Sequence, residues 1–148
     1  MPDGAVVTLP ADPVNATRAL NILAGIEWIQ LKPGTNPLSV SERDVSSNPK
    51  HLKLVPIDTA QAPRSLSDAD LAAIQGNFAV ASGLRLTDAL KLEDMTQPYV
   101  NVVAVKRGNE NAPFAKDIVQ AYQSSEFQTV FQSNPAWAGY RLPDYFSK

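Results

Sequence analysis

The stretch VVTLPADPVNATRALNIL, Val6 to Leu23, decides the fold. Val6 to Leu9 is a short run rich in β-branched residues and suits a buried strand. Asp12-Pro13 follows at once and is a helix-start signature. The carboxylate can cap free amides, and proline suits the first helical position, where its missing N–H is no loss. Ala16, Ala19, Leu20 and Leu23 then recur at helical spacing, and Gly25 supplies the stop. The sequence therefore predicts a strand that turns directly into a helix, with Asn15 and Arg18 three residues apart on one face of its first turns. A guanidinium at the positive end of a helix can take a carboxylate or phosphate bidentately. The same residues also read as a solvated arginine paired with Asp12 or Glu27.

Outward from this corner, the chain alternates strand and helix signals. Ile26 to Leu31 reads equally as a short helix or an extended segment, and Lys32-Pro33-Gly34 is a turn. Leu38 to Ser47 suits a short polar helix ended by Asn48-Pro49. His51 to Ile57 alternates as a strand that loses its ladder at Pro56. Asp70 to Ile74 is apolar and of strand length, and Asn77 can cap a short helix through Ala81. Leu90 to Glu93 is a weak strand, whereas Tyr99 to Lys106, YVNVVAVK, is the strongest in the chain by its β-branched density. Pro113 to Gln123 and Ser125 to Gln132 read as amphipathic helices. This alternation predicts an α/β fold, a mostly parallel sheet flanked by helices.

In such a fold ligands sit at the carboxyl ends of the strands. Three corners qualify: Asn15 with Arg18, the segment Ile74-Gln75-Gly76-Asn77-Phe78, and Pro98-Tyr99-Val100-Asn101. Amide side chains donate and accept without charge, so amides around one arginine suit a zwitterion. Each amide taken singly also reads as a cap or turn residue.

Composition narrows the possibilities. The chain has 148 residues, enough for one domain with a real core, and no cysteine, so neither a disulfide nor a Cys-ligated zinc contributes. A formal charge of -2 without a basic block argues against nucleic acid or an anionic membrane surface as partner. No nucleophile-elbow, phosphate-loop or HExxH pattern occurs, and the single histidine, His51, has no acidic or nucleophilic neighbour in sequence. Asp68-Ala69-Asp70 is a polar approach to a strand and not a metal site, since Mg²⁺ needs convergent ligands from elsewhere. These features argue against an enzyme and call for no cofactor or metal.

The blocks DGAVVTLPADPVNATRAL, GIEWIQLKPG, NPKHLKLVPID, QAPRSLSDADLAAIQGNFAVASGL, LEDMTQPYVNVVAVKR and KDIVQAYQSSEF, in this order, resemble the NlpA/MetQ family of substrate-binding lipoproteins. Only the tail NPAWAGYRLPDYFSK looks unlike the family. The resemblance implies a periplasmic binding protein of type II-like fold, with residues 3–98 as its second lobe. Residues 99–148 would form a return strand, C-terminal helices and a divergent aromatic tail. It implies a methionine-like amino acid or small peptide as ligand, a membrane ABC permease as partner, and a periplasmic, membrane-anchored lipoprotein. Carried over by position, Arg18 matches the arginine that grips the ligand carboxylate. Asn15 matches the asparagine one turn before it, and Asn101 one that contacts the ligand's amino-acid head. Gln75 stands where the family has asparagine, a methylene longer, and Asn77 belongs to the same corner.

Family members carry a further lobe and a lipoprotein signal ahead of the matching part, and both are expected to be absent here. One lobe cannot exclude water from both sides of a ligand, so binding by this chain alone is expected to be weak or undetectable. Apolar surface left by the other lobe is expected to drive a homodimer, unless the aromatic tail folds back over it. The rival reading is an interaction module, or a remnant without transport function, that dimerises through that surface.

Overall fold

The computed structural model describes residues 2–147, which fall into two units, one ending at Glu93 and the other beginning at Asp94. In the first, β1 (Val6–Pro10) leads through Ala11 and Asp12 into α1 (Pro13–Gly25), as the opening stretch predicts. β1 is the middle strand of a sheet of order β4-β1-β5, with β4 (Lys53–Ile57) and β5 (Leu71–Ala72). Both pairings are parallel, Val7 standing opposite Leu54 on one side and Leu71 on the other. A central strand covered on both faces has no solvent side, so Val7, Thr8, Leu9 and Pro10 are all buried and the run does not alternate.

Ala19, Leu20 and Leu23 of α1 join Val7, Leu9, Ile29 and Val40 in one buried cluster. The buried Thr17 hydroxyl donates to the Val40 carbonyl oxygen at 2.9 Å, which ties the following loop to the helix. α1 ends in a double turn: the Glu27 N–H donates to the Ala24 carbonyl and the Trp28 N–H to that of Leu23. This geometry needs a left-handed residue, and the position falls on Glu27, with φ of 61°, two residues beyond the expected Gly25 stop.

The open reading of Ile26 to Leu31 resolves as extended. β2 (Gln30–Leu31) pairs antiparallel with β3 (Val45–Ser47) in a separate two-stranded ribbon. The polar helix expected over Leu38 to Ser47 does not form. The Ser41 N–H and hydroxyl both donate to one Asp44 carboxylate oxygen, at 2.8 and 2.7 Å, closing a single 3₁₀ turn over Glu42–Asp44, after which the chain extends. β4 runs through Pro56 to Ile57 instead of losing its ladder there. The reason is its edge position: Lys53 and Ile57 turn their backbone groups toward β1, so alternation turns those of Leu54 and Pro56 outward. β5 is only two residues long, shorter than Asp70 to Ile74. Asp70 uses its carboxylate, not its backbone, to accept from the Val6 N–H at 2.8 Å.

α2 (Gly76–Ala81) follows, with Gln75 and not Asn77 at the capping position. The weak strand expected over Leu90 to Glu93 is absent, and Leu90 is 84% exposed. In the second unit, α3 (Pro113–Tyr122) and α4 (Ser125–Ser133) form close to their expected bounds. The strand expected at Tyr99 to Lys106 does not form. Gln97–Tyr99 is a 3₁₀ turn, and 100–106 carries no strand assignment, Val102 being 82% exposed. β-Branched density raises strand propensity, but a strand exists only against a ladder partner, and the described residues of this unit contain none. The aromatic tail folds back on α4: Trp137 lies 4.8 Å from Phe131 between ring centroids, and Phe146 meets both Phe127 and Phe131 edge-on. Among the described residues no helix is long and apolar enough to cross a membrane.

Candidate functional site

β1, β4 and β5 are parallel, so the segments that leave them, Ala11-Asp12, Asp58-Thr59 and the corner before α2, all emerge at the carboxyl edge of the sheet. Asp12 sits at the N-cap of α1 and accepts the Asn15 N–H at 2.9 Å. Its two carboxylate oxygens also accept the Asn15 side-chain amide, at 3.0 and 3.1 Å, and one accepts the Thr59 hydroxyl at 3.2 Å. Burial pushes the Asp12 carboxyl up, but the hydrogen bonds from Asn15 and Thr59 outweigh it and hold the group below its ordinary value.

With its NH₂ group fixed on Asp12, Asn15 turns its carbonyl oxygen toward Arg18, which donates to it from Nη1 at 3.0 Å. The Nε edge of the same guanidinium engages Glu93. Nε donates at 2.9 and 3.1 Å to the two carboxylate oxygens, and Nη2 donates to one of them. Both partners are about one-fifth exposed, so the pair stands at the surface of the unit within reach of solvent. The result is a relay of Thr59, Asp12, Asn15, Arg18 and Glu93. Neither sequence-based pairing of Arg18, with Asp12 or with Glu27, is among its described bonds.

The structure thus brings Asn15 and Arg18 into contact, as their spacing implies. Gln75 and Asn77 share the α2 corner. Asn77 is exposed, whereas Gln75 buries its Oε1 with no hydrogen-bond partner among the described residues. Asn101 lies in the second unit, exposed on the stretch that carries no strand. Sequence reasoning missed Glu93, which stands 75 residues from Arg18 in a segment without periodicity. It took Asp12 as a cap or as a partner of Arg18, whereas this residue caps α1 and orients Asn15. No group of three or more metal-ligating side chains occurs among the described residues.

A family model described as NlpA lipoprotein matches residues 1–143. The D-methionine-binding lipoprotein MetQ of Salmonella typhi is 42% identical over 127 residues, which are 84% of this chain and 46% of that protein. A nutrient binding protein from Burkholderia cenocepacia, solved bound to methionine, superimposes with a TM-score of 0.82 at 40% identity, over 90% of this chain and 56% of that one. An ABC transporter periplasmic substrate-binding protein from Coxiella burnetii does so with a TM-score of 0.80 at 41% identity, over 89% and 55%. The chain spans about half the length of the curated relatives it matches.

Proposed function

Since the chain belongs to the NlpA lipoprotein family, we propose that it supplies one wall of the binding site of a substrate-binding protein for an ABC importer. The ligand is methionine or a related amino acid or small peptide, and the protein works in the periplasm as an anchored lipoprotein. It is a binding protein and not an enzyme. Residues 3–98 act as a lobe of a two-lobed clamp, and residues 99–148 as the return segment, terminal helices and tail.

One observation carries this reading: the Arg18 guanidinium, oriented by Asn15 at the start of α1, already grasps a carboxylate side-on, that of Glu93. A cradle that holds one carboxylate has the donors to hold a ligand's. In this reading Arg18 takes the α-carboxylate, and Asn15 holds it in position. The unpartnered Gln75 Oε1 is an acceptor that a ligand ammonium would satisfy, which supports Gln75 as a contact despite its extra methylene. By the family resemblance alone, Asn101 and, less strictly, Asn77 are further candidate contacts to the amino-acid head.

A single wall leaves water on the ligand's other face, so the 148-residue chain by itself is expected to bind methionine no tighter than the millimolar range, about 4 kcal/mol. Methionine titrated into ¹⁵N-labelled protein is expected to shift the amides of residues 12–18, and Arg18→Ala to remove the response. Shifts that persist in the Arg18→Ala variant would defeat the assignment, and calorimetry showing affinity near 1 µM would defeat the single-wall argument.

A second reading is an interaction module that pairs with its own copy. It is favoured by the exposed apolar side chains of the second unit, Val102 at 82%, Val130 at 57% and Val103 at 56%. Light scattering at high concentration separates the two, a monomer counting against self-association.

A further inference from the structure

Glu93 is the member of the relay in direct contact with Arg18 to which the binding reading assigns no part in ligand recognition. Its carboxylate lies along the Nε–Nη2 edge of Arg18, while Asn15 takes a donor of Nη1. Two consequences follow. The long arginine side chain is gripped at both sides of its guanidinium, so its position is set before any ligand arrives. Glu93 and Arg18 together also carry no net charge, so an incoming carboxylate meets the hydrogen-bond donors of a guanidinium whose positive field is already cancelled.

For a plain carboxylate this is a poor exchange, because it gains the donors but is brought close to the Glu93 charge. An amino acid differs in one respect. Its ammonium is one carbon from its carboxylate and can lie near Glu93, turning a like-charge encounter into an alternation of signs. We propose that Glu93 is the positioning and charge-setting partner of Arg18, and that it makes the cradle select amino acids bearing an ammonium over carboxylates that lack one. This rests on the reading of Arg18 as the ligand's carboxylate partner.

Methionine and N-acetylmethionine share carboxylate and thioether and differ in the ammonium. Both are titrated into the full 148-residue chain and its Glu93→Gln and Glu93→Asp variants, following the α1 amides and the Arg18 Nε–H signal by NMR. The wild type is expected to prefer methionine, the glutamine variant to lose about tenfold of that preference, and the aspartate variant to retain most of it. Without ligand, the Arg18 Nε–H signal is expected to sit away from the free-arginine position and to move toward it in the glutamine variant. Glu93→Ser removes the same charge and carries the test if Glu93→Gln does not give a folded spectrum.

An unchanged preference in the charge-removed variants, with methionine still binding, overturns the role of Glu93 and leaves that of Arg18 standing. Failure of methionine at about 100 mM to move any α1 amide of the wild type overturns the reading of Arg18, and this inference with it.

Discussion

Asn15 donates its side-chain amide to both carboxylate oxygens of Asp12, at 3.0 and 3.1 Å. An asparagine on a helix surface would otherwise turn freely, and here its carbonyl is left with one direction, toward Arg18. Asp12 thus caps a helix and, through one intervening side chain, aims a guanidinium.

Replacing Asp12 with alanine is expected to remove both functions. Loss of the N-cap should cost about 1 kcal/mol in urea-induced unfolding. Freeing the Asn15 amide should broaden the Arg18 Nε–H signal as well. Loss of stability with an unaltered Arg18 signal would show that the relay does not depend on its capping residue.

The same carboxylate gives the acid response a sign. Its hydrogen bonds hold the Asp12 pKa below the ordinary 3.8, so the folded state binds the proton less readily than the unfolded chain. The stabilisation is therefore complete above that ordinary value and lost as pH falls through the lower, folded one. Asp12→Asn still caps but cannot titrate, so the stability difference between wild type and variant should shift in the variant's favour below pH 3.8. A difference that stays flat from neutral pH to pH 2 would contradict this.

Thr17 offers a contrast inside the core. Valine in its place keeps the shape but leaves the Val40 carbonyl oxygen without its 2.9 Å donor. A cost of about 1–3 kcal/mol is expected, with the Arg18 signal unmoved, because this buried bond joins α1 to Val40 and to no member of the relay. Thermal and urea unfolding measure the first part and the arginine spectrum the second.

Glu27 is expected to improve on replacement. It holds a left-handed backbone that costs an ordinary side chain about 1 kcal/mol and glycine almost nothing. Glu27→Gly should therefore stabilise the first unit by up to about 1 kcal/mol, part of the gain being offset by the freer unfolded chain. A lower melting temperature in the variant would mean that the glutamate side chain contributes more than its backbone costs.

Much of this was legible in the residues. Val6 to Gly25 announced both its elements and the contact between Asn15 and Arg18, because a buried strand, a cap and a one-turn spacing are local facts. Where the reading failed, the deciding partner was distant or missing. Tyr99 to Lys106 has the composition of a strand but no ladder among the described residues. Pro56 looked like a break because its outward-facing position on an edge strand depends on the register with β1. Glu93 was invisible for the same reason, since nothing in LEDMTQP indicates an arginine 75 residues away.

The proline on β4 also bears on how copies of this protein can meet. Of the outward-facing positions of that strand, only Leu54 offers an N–H, and the opposite edge of the sheet, β5, is two residues long. Neither rim gives an incoming strand a row of donors and acceptors to zip onto, so the sheet resists templated growth and domain exchange. Any self-association is thereby left to exposed apolar side chains, such as Leu90 of the first unit and Val102 of the second, where a single polar substitution would weaken it, and is kept from the edge-to-edge route that ends in fibrils.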